Sequence, residues 1–294
     1  MIGAEAREAA AAQEGAFNIQ EMILEHLADS PQWHSPFGHI HLPEIHVPLG
    51  PVTLDLSITK HVLFMMIAAT LAALLLIAAG RAAKREHAAG ASRGPKGTTN
   101  VVEAFVLFLR DEVAISNIGH GGERYVPYIV TVFFFILFCN LLGLLPWGAS
   151  PTGNISVTAT LAAFTFLVVE FAGMRELGAA GYARTVFFVP PGLPWYMKGP
   201  MYVIMTPVEF LGKLAKPFAL ALRLYANMTA GHAVVLALTG LMVMAALASA
   251  FFVVPAPVLM AIAIMILELF VAFLQAYIFA MLSAVFIGLI RHAH

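Results

Sequence analysis

TPVEFLGKLAKPFALALRLYANMTAGH, residues 206–232, decides how the rest of the chain is read. The stretch and its flanks are apolar, yet it carries Glu209, Lys213, Lys216, Arg223, Asn227 and His232. Polar groups at membrane depth are costly and persist where they find partners, water or a task. At about 100° per residue the first five fall within an arc of roughly 80°, on one face of a helix, and His232 falls about opposite Arg223. This geometry separates two jobs. A guanidinium stays protonated at physiological pH, so Arg223 can neither relay protons nor shed its charge; it can attract a carboxylate. An imidazole titrates near neutrality, so His232 suits a relay.

A second stretch of the same kind closes the chain: AIMILELFVAFLQAYIFAMLSAVF, residues 263–286, holds Glu268, Gln275, Tyr277 and Ser283. Glu268 and Gln275 are seven apart and so within about 20° on one face. Glu268 is a candidate partner for His232, for Arg223 or for an aqueous path.

Working outward, 60% of the 294 residues are hydrophobic and 11% charged, against roughly 45–50% and 25% in soluble domains. A helix needs about 20 apolar residues to cross a bilayer, and the chain offers five such runs, near 61–80, 125–145, 156–174, 201–247 and 257–290. The expectation is an all-α membrane protein of five traverses, divided into a polar tail, 1–59, and a helical membrane domain, 60–294. The apolar run from 200 to 247 would make about 70 Å of helix against a hydrocarbon core of about 30 Å. Either Pro207 and Pro217 bend it or it lies strongly tilted, as would its successor after the turn at Pro255 and Pro257. Residues 99–116 put Val102, Phe105, Val106, Leu109 and Val113 at helical spacing, which predicts an amphipathic helix on the cytoplasmic interface.

Charge sets the orientation. Arg81, Lys84, Arg85, Arg93 and Lys96 follow the first span, Arg175, Arg184 and Lys198 follow the third, and Arg291 follows the last. By the positive-inside rule these ends are cytoplasmic. The tail, with eight acidic residues and only Arg7 against them, is then outside and the C-terminus inside. HIHLPEIHV and PVTLDLSI, joined through PLG, suggest a hairpin in that tail. The first thirty residues show no basic start followed by an apolar core, hence no visible signal peptide. The lone Cys139 permits no internal disulfide and reads as a small buried hydrophobe. A net charge of −1 gives no field toward nucleic acid.

LALRLYANMTAGH (220–232), followed by ELFVAFLQAYIF (268–279), resembles the signature of the a subunit of bacterial F-type ATP synthases. The resemblance covers roughly 60–290. It implies a non-catalytic, proton-conducting stator subunit of the cell inner membrane, without cofactor or metal. Its implied partners are the c-subunit ring, the b-type peripheral stalk, the remaining synthase subunits and lipid. It implies that Arg223 faces the essential carboxylate of the ring, with Asn227 at the family's spacing. Lys216 and Pro217 stand where the family often has such a pair, Glu209 matches an acidic position, and Gln275 matches a family glutamine. Several relatives have an acid nine residues after the arginine and a histidine seven before the glutamine. Here these are His232 and Glu268, the reverse order, which a paired relay would tolerate if the helices touch. Both are assigned to the outer of two half-channels, and Glu209 to the inner. NLLGLLPWGASPTGNISVT (140–158) resembles the family's hairpin, with Asn140 and Asn154 at polar positions, but has Gly153 and Asn154 where acids are often found.

Plainer readings stand beside these. Arg223 could snorkel to an interface; His232 with Glu268 could be an interhelical hydrogen bond; Glu209 could anchor at the interface beside Lys213 and Lys216; Asn227 and Gln275 could be interhelical glue. Glu170 reads as near the cytoplasmic end of its helix rather than as a channel residue. His34, His39, His41 and His46 lack a second ligand pair of recognisable spacing, so structural or solvated roles are favoured over a metal. Asn154-Ile-Ser is a weak glycosylation match. A self-contained transporter would show inverted repeats or paired broken helices, and neither is visible. A mere anchor leaves five polar groups on one arc unexplained.

Overall fold

The computed structural model describes residues 29–35, 38–43, 45–49, 52–55, 57–88, 98–145, 147–186, 195–247 and 255–291. The acidic residues before Asp29, together with Arg93 and Lys96, lie outside them. Helix α1 is Lys60–Ala88. Helix α2, Thr98–Phe108, widens into a π-helical stretch at Leu109–Ile115 and ends at Ser116–Ile118. Helix α3 is Val126–Gly143, α4 Ile155–Val186, α5 Trp195–Leu247 and α6 Pro255–Arg291.

Among the described residues, five segments are long and apolar enough to cross a membrane: Lys60–Ala82, Gly122–Gly143, Ile155–Gly178, Gly199–Met244 and Pro255–Arg291. The third ends where Gly178 takes φ 69°, ψ 167°. That conformation breaks the helix and suits a residue without a β-carbon. Helix α5 runs unbroken through Pro200, Pro207 and Pro217. Its apolar stretch of 46 residues makes about 70 Å of helix against a hydrocarbon core of about 30 Å.

Helix α6 is the central element, packed against α3, α4 and α5, while α1 lies on α3. The core is apolar and close-fitting: Ile129, Phe133 and Ile136 of α3 meet Phe279 and Ile287 of α6 among fully buried side chains. Small residues set the spacing. Gly288 leaves no room for a β-carbon against the carbonyl oxygen of Asn117, nor Gly173 against Ile290. At the end of α6, Arg291 meets Glu176 of α4 at 3.2 Å and donates to the His120 carbonyl at 2.9 Å. In the π-helical stretch after α2, Leu109 and Val113 are buried and Arg110, Asp111 and Glu112 exposed. This apolar face is turned to the bundle, with Phe105 against Phe133 and Phe273 and Phe108 stacked on Tyr277.

Two antiparallel hairpins precede α1. β1 (Gln32–Ser35) pairs with β2 (Gly38–His41), with His34 opposite His39. β3 (His46–Leu49) pairs with β4 (Val52–Asp55). The first hairpin has no counterpart in the sequence reading. It is tied to the bundle where Trp33 donates to the Trp147 carbonyl at 2.9 Å, packs edge-on against Phe64, and Lys60 N–H reaches Ser30 O at 3.1 Å.

Candidate functional site

Helix α5 has a buried edge, formed by Leu220, Ala221, Leu224 and Met228, because these apolar side chains interlock with the bundle. Turning about 100° per residue puts Arg223 and Asn227 on the neighbouring open edge, and both are exposed. Arg223 makes no hydrogen bond or ion pair among the described residues. Glu209 and Lys216 share this open side, whereas Lys213 is turned partly inward.

On one flank of Arg223, about 13 Å along the helix, lies a buried polar cluster. His232 Nε2 is 2.6 Å from the Gly143 carbonyl and Nδ1 is 3.0 Å from the Met228 carbonyl. A neutral imidazole has one N–H and can serve one of these acceptors; the imidazolium serves both. Glu268 of α6 lies in electrostatic contact with His232. They are not hydrogen-bonded: Glu268 Oε1 packs on Gly231, buried and without a partner among the described residues.

The cluster continues into the turn after α3. Asn140 is fully buried; its amide donates to the Ala272 carbonyl at 3.2 Å and its oxygen accepts from Thr152 Oγ1 at 2.7 Å. Thr152 Oγ1 lies 2.8 Å from Ser150 Oγ. Asn154 caps α4, accepting from Ser156 N–H at 2.9 Å, as an asparagine does at a helix start. Its amide donates to Asp29 at 3.0 Å.

On the other flank, a cavity of about 190 Å³ opens between α4, α5 and α6, with Glu170, Glu209, Lys213, Lys216, Thr165 and Thr185 on its walls. Its cations are held in place: Lys213 donates to Thr185 at 3.2 Å and lies over the Tyr182 ring, and Lys216 lies over the Phe286 ring. Two carboxylates and two ammonium groups balance, which lets a polar chamber persist among apolar helices. Glu170 lies about two turns before the break at Gly178 and lines this cavity beside Lys213.

Gln275 is buried in α6. The remaining candidates are occupied in packing: Tyr277 stacks on Phe108, and Ser283 Oγ donates to the Phe279 carbonyl of its own helix at 2.7 Å. Sequence reasoning missed Ser150, Thr152, Thr165, Thr185, and the pair Asp29 and His61, whose side chains meet at 2.8 Å. The signal for His61 was available in its place at the start of the first span. The others are short hydroxyls common in any helix.

Residues 62–288 match the family described as ATP synthase A chain. The chain is 46% identical over 270 residues to ATP synthase subunit a 2 of Chlorobaculum tepidum, covering 92% of this chain and 72% of that one. It is 45% identical over 267 residues to ATP synthase subunit a of Chloroherpeton thalassium, covering 90% and 75%. With ATP synthase subunit a of Pelodictyon phaeoclathratiforme it shares 45% identity over 288 residues, 97% and 80% of the two chains.

Proposed function

The chain belongs to the ATP synthase A chain family, a membrane subunit of the F-type ATP synthase, and from that membership we propose that it forms two proton half-channels that meet only through a rotating partner. The partner is the c-subunit ring, seated on the open edge of α5, with the stator held by b-type stalk subunits. The observation that carries this reading is Arg223, exposed and without an internal acid on a long apolar helix.

A proton enters from the outer side past Glu268 and His232 and neutralises a ring carboxylate, which then moves into lipid. When the ring brings a protonated site to Arg223, the fixed positive charge favours the ionised carboxylate, and the proton leaves through the chamber walled by Glu170, Glu209, Lys213 and Lys216. The same charge repels a proton attempting to pass directly between the half-channels. Asn227, one turn along, can donate a hydrogen bond to the same carboxylate. The chain itself does no chemistry on ATP. Its acidic tail faces the outside and its C-terminus the cytoplasm of a bacterial cell.

Replacing Arg223 by Ala is expected to abolish ATP synthesis driven by a proton gradient in membrane vesicles while the complex still assembles. Normal coupled synthesis in that variant would overturn the proposal.

A further inference from the structure

Asp29 and His61 stand apart from everything the half-channel reading uses. His61 is in the first turn of α1 and is buried, its side chain 6% accessible. Asp29, just ahead of β1, keeps 32% of its side chain accessible. One carboxylate oxygen of Asp29 lies 2.8 Å from His61 Nδ1 and the other accepts from Asn154 at 3.0 Å. The pair is therefore polarised in space, with a carboxylate open to solvent and an imidazole behind it. The charged and titratable groups facing His61 are Asp29, the adjacent Lys60 and, from α5, His232, which is near enough for its charge to be felt.

Between the two histidines lies the polar turn already described. Asn154 holds Asp29, Thr152 and Ser150 follow within four residues, and Ser150 packs on Gly143, whose carbonyl meets His232. Two buried oxygens have no partner among the described residues: Thr59 Oγ1, two residues before His61 in the chain, and Glu268 Oε1, whose acid interacts electrostatically with His232. Buried polar atoms without protein partners are served by water. Hydroxyls bridged by water can pass a proton along, and the asparagine amides hold that row in place.

We propose that Asp29 and His61 form the outermost proton-accepting station of the outer half-channel, delivering protons through this row to His232. The inference rests on the half-channel reading above. A proton from outside water adds to His61 at the ring nitrogen facing Asp29, the imidazolium is held by the Asp29 carboxylate, and the proton on the other ring nitrogen leaves inward toward His232, so one proton enters for each that leaves. Kinetics give the station its purpose. At 10⁻⁸–10⁻⁷ M protons, capture at about 10⁹–10¹⁰ M⁻¹s⁻¹ delivers only on the order of 10–1,000 protons per second to one site. A carboxylate at the mouth raises local proton concentration and capture rate.

The test uses the whole synthase in proteoliposomes, with ATP synthesis measured at fixed internal pH and membrane potential while external pH is varied. With His61→Gln, synthesis is expected to stay near wild type at acidic external pH and to fall about tenfold below it at alkaline external pH, the scale on which electrostatic focusing changes capture. Asp29→Asn should shift the profile the same way, and Asp29→Glu should restore it. A His61→Gln profile identical to wild type overturns the proposal. So does a rate lowered by one factor at every pH in step with the amount of assembled complex, which would make the pair a latch for the β1–β2 hairpin alone. Arg223→Ala is run in parallel: coupled synthesis surviving there sinks the half-channel reading itself, whereas its loss together with an unchanged His61→Gln profile sinks only this inference.

Discussion

The carboxylate of Glu268 occupies the space beside Gly231 that a β-carbon would need. The two helices, α5 and α6, approach closely there, and the acid fits between them because position 231 has no side chain. Gly231→Ala should raise the intrinsic helix preference of α5 by about 1 kcal/mol and push aside only the flexible end of Glu268, so the protein should assemble normally. Proton flux should nevertheless fall roughly tenfold, the kind of loss that follows small misplacement of a reacting group. ATP-driven acidification of inverted vesicles reads this directly. Undiminished pumping at normal assembly would mean that the position of Glu268 does not matter to conduction.

The open edge of α5 makes a separate prediction about contact. A cysteine in place of the exposed Asn227 should be captured by a short bifunctional crosslinker to a small membrane partner in intact membranes. The native Cys139, fully buried, stays as an internal control that should not react. Full labelling of position 227 by a lipid-soluble maleimide, with no protein captured, would mean that this edge faces lipid and that Arg223 has no ring opposite it.

The five spans were legible because each is a run of about 20 or more apolar residues, and a bilayer demands little else of a sequence. The arc on α5 was right as geometry, but periodicity gives only relative angles. It could not tell that Leu220 and Leu224 face the bundle while Arg223 and Asn227 face outward. That Glu170 shares a cavity with Lys213 of another helix is a tertiary contact that no local pattern encodes. The contact of His61 with Asp29 crosses 32 residues and two hairpins, and no local pattern encodes it. The π-helical stretch at Leu109–Ile115 likewise has no marker in LRDEVAI.

Gly288 tests the packing rather than the pathway. A β-carbon there would collide with the main-chain oxygen of Asn117, and a carbonyl cannot swing away as a side chain end can. Gly288→Ala should therefore separate the end of α6 from the end of α2 and cost about 1–3 kcal/mol, the range for overpacked sites. The check is the melting temperature of the purified complex in detergent, which should drop, alongside faster proteolysis near residues 117–121. An unchanged melting temperature would mean that the two elements can part without loss.

The inner chamber predicts how its acids share their work. Glu170 and Glu209 both line one cavity of about 190 Å³, enough for several waters, so either carboxylate can take up a proton released near Arg223 while the other is absent. Glu170→Gln or Glu209→Gln alone should slow proton exit by no more than roughly threefold, because water and the remaining acid still bridge the gap. Removing both leaves two ammonium groups, Lys213 still anchored by Thr185 and Tyr182, in a chamber with no counter-charge. That chamber repels protons as well as offering them no acceptor. The double variant should thus lose far more than the product of the single losses, with a coupling of about 0.5–3 kcal/mol, as expected for residues that share one site. Passive proton flux through vesicles stripped of the catalytic head measures all three variants on one scale. A double variant equal to the product of the singles would mean that the two acids act on separate paths. A single variant that abolishes flux would make that residue an obligatory relay and the cavity a narrower channel than its walls suggest.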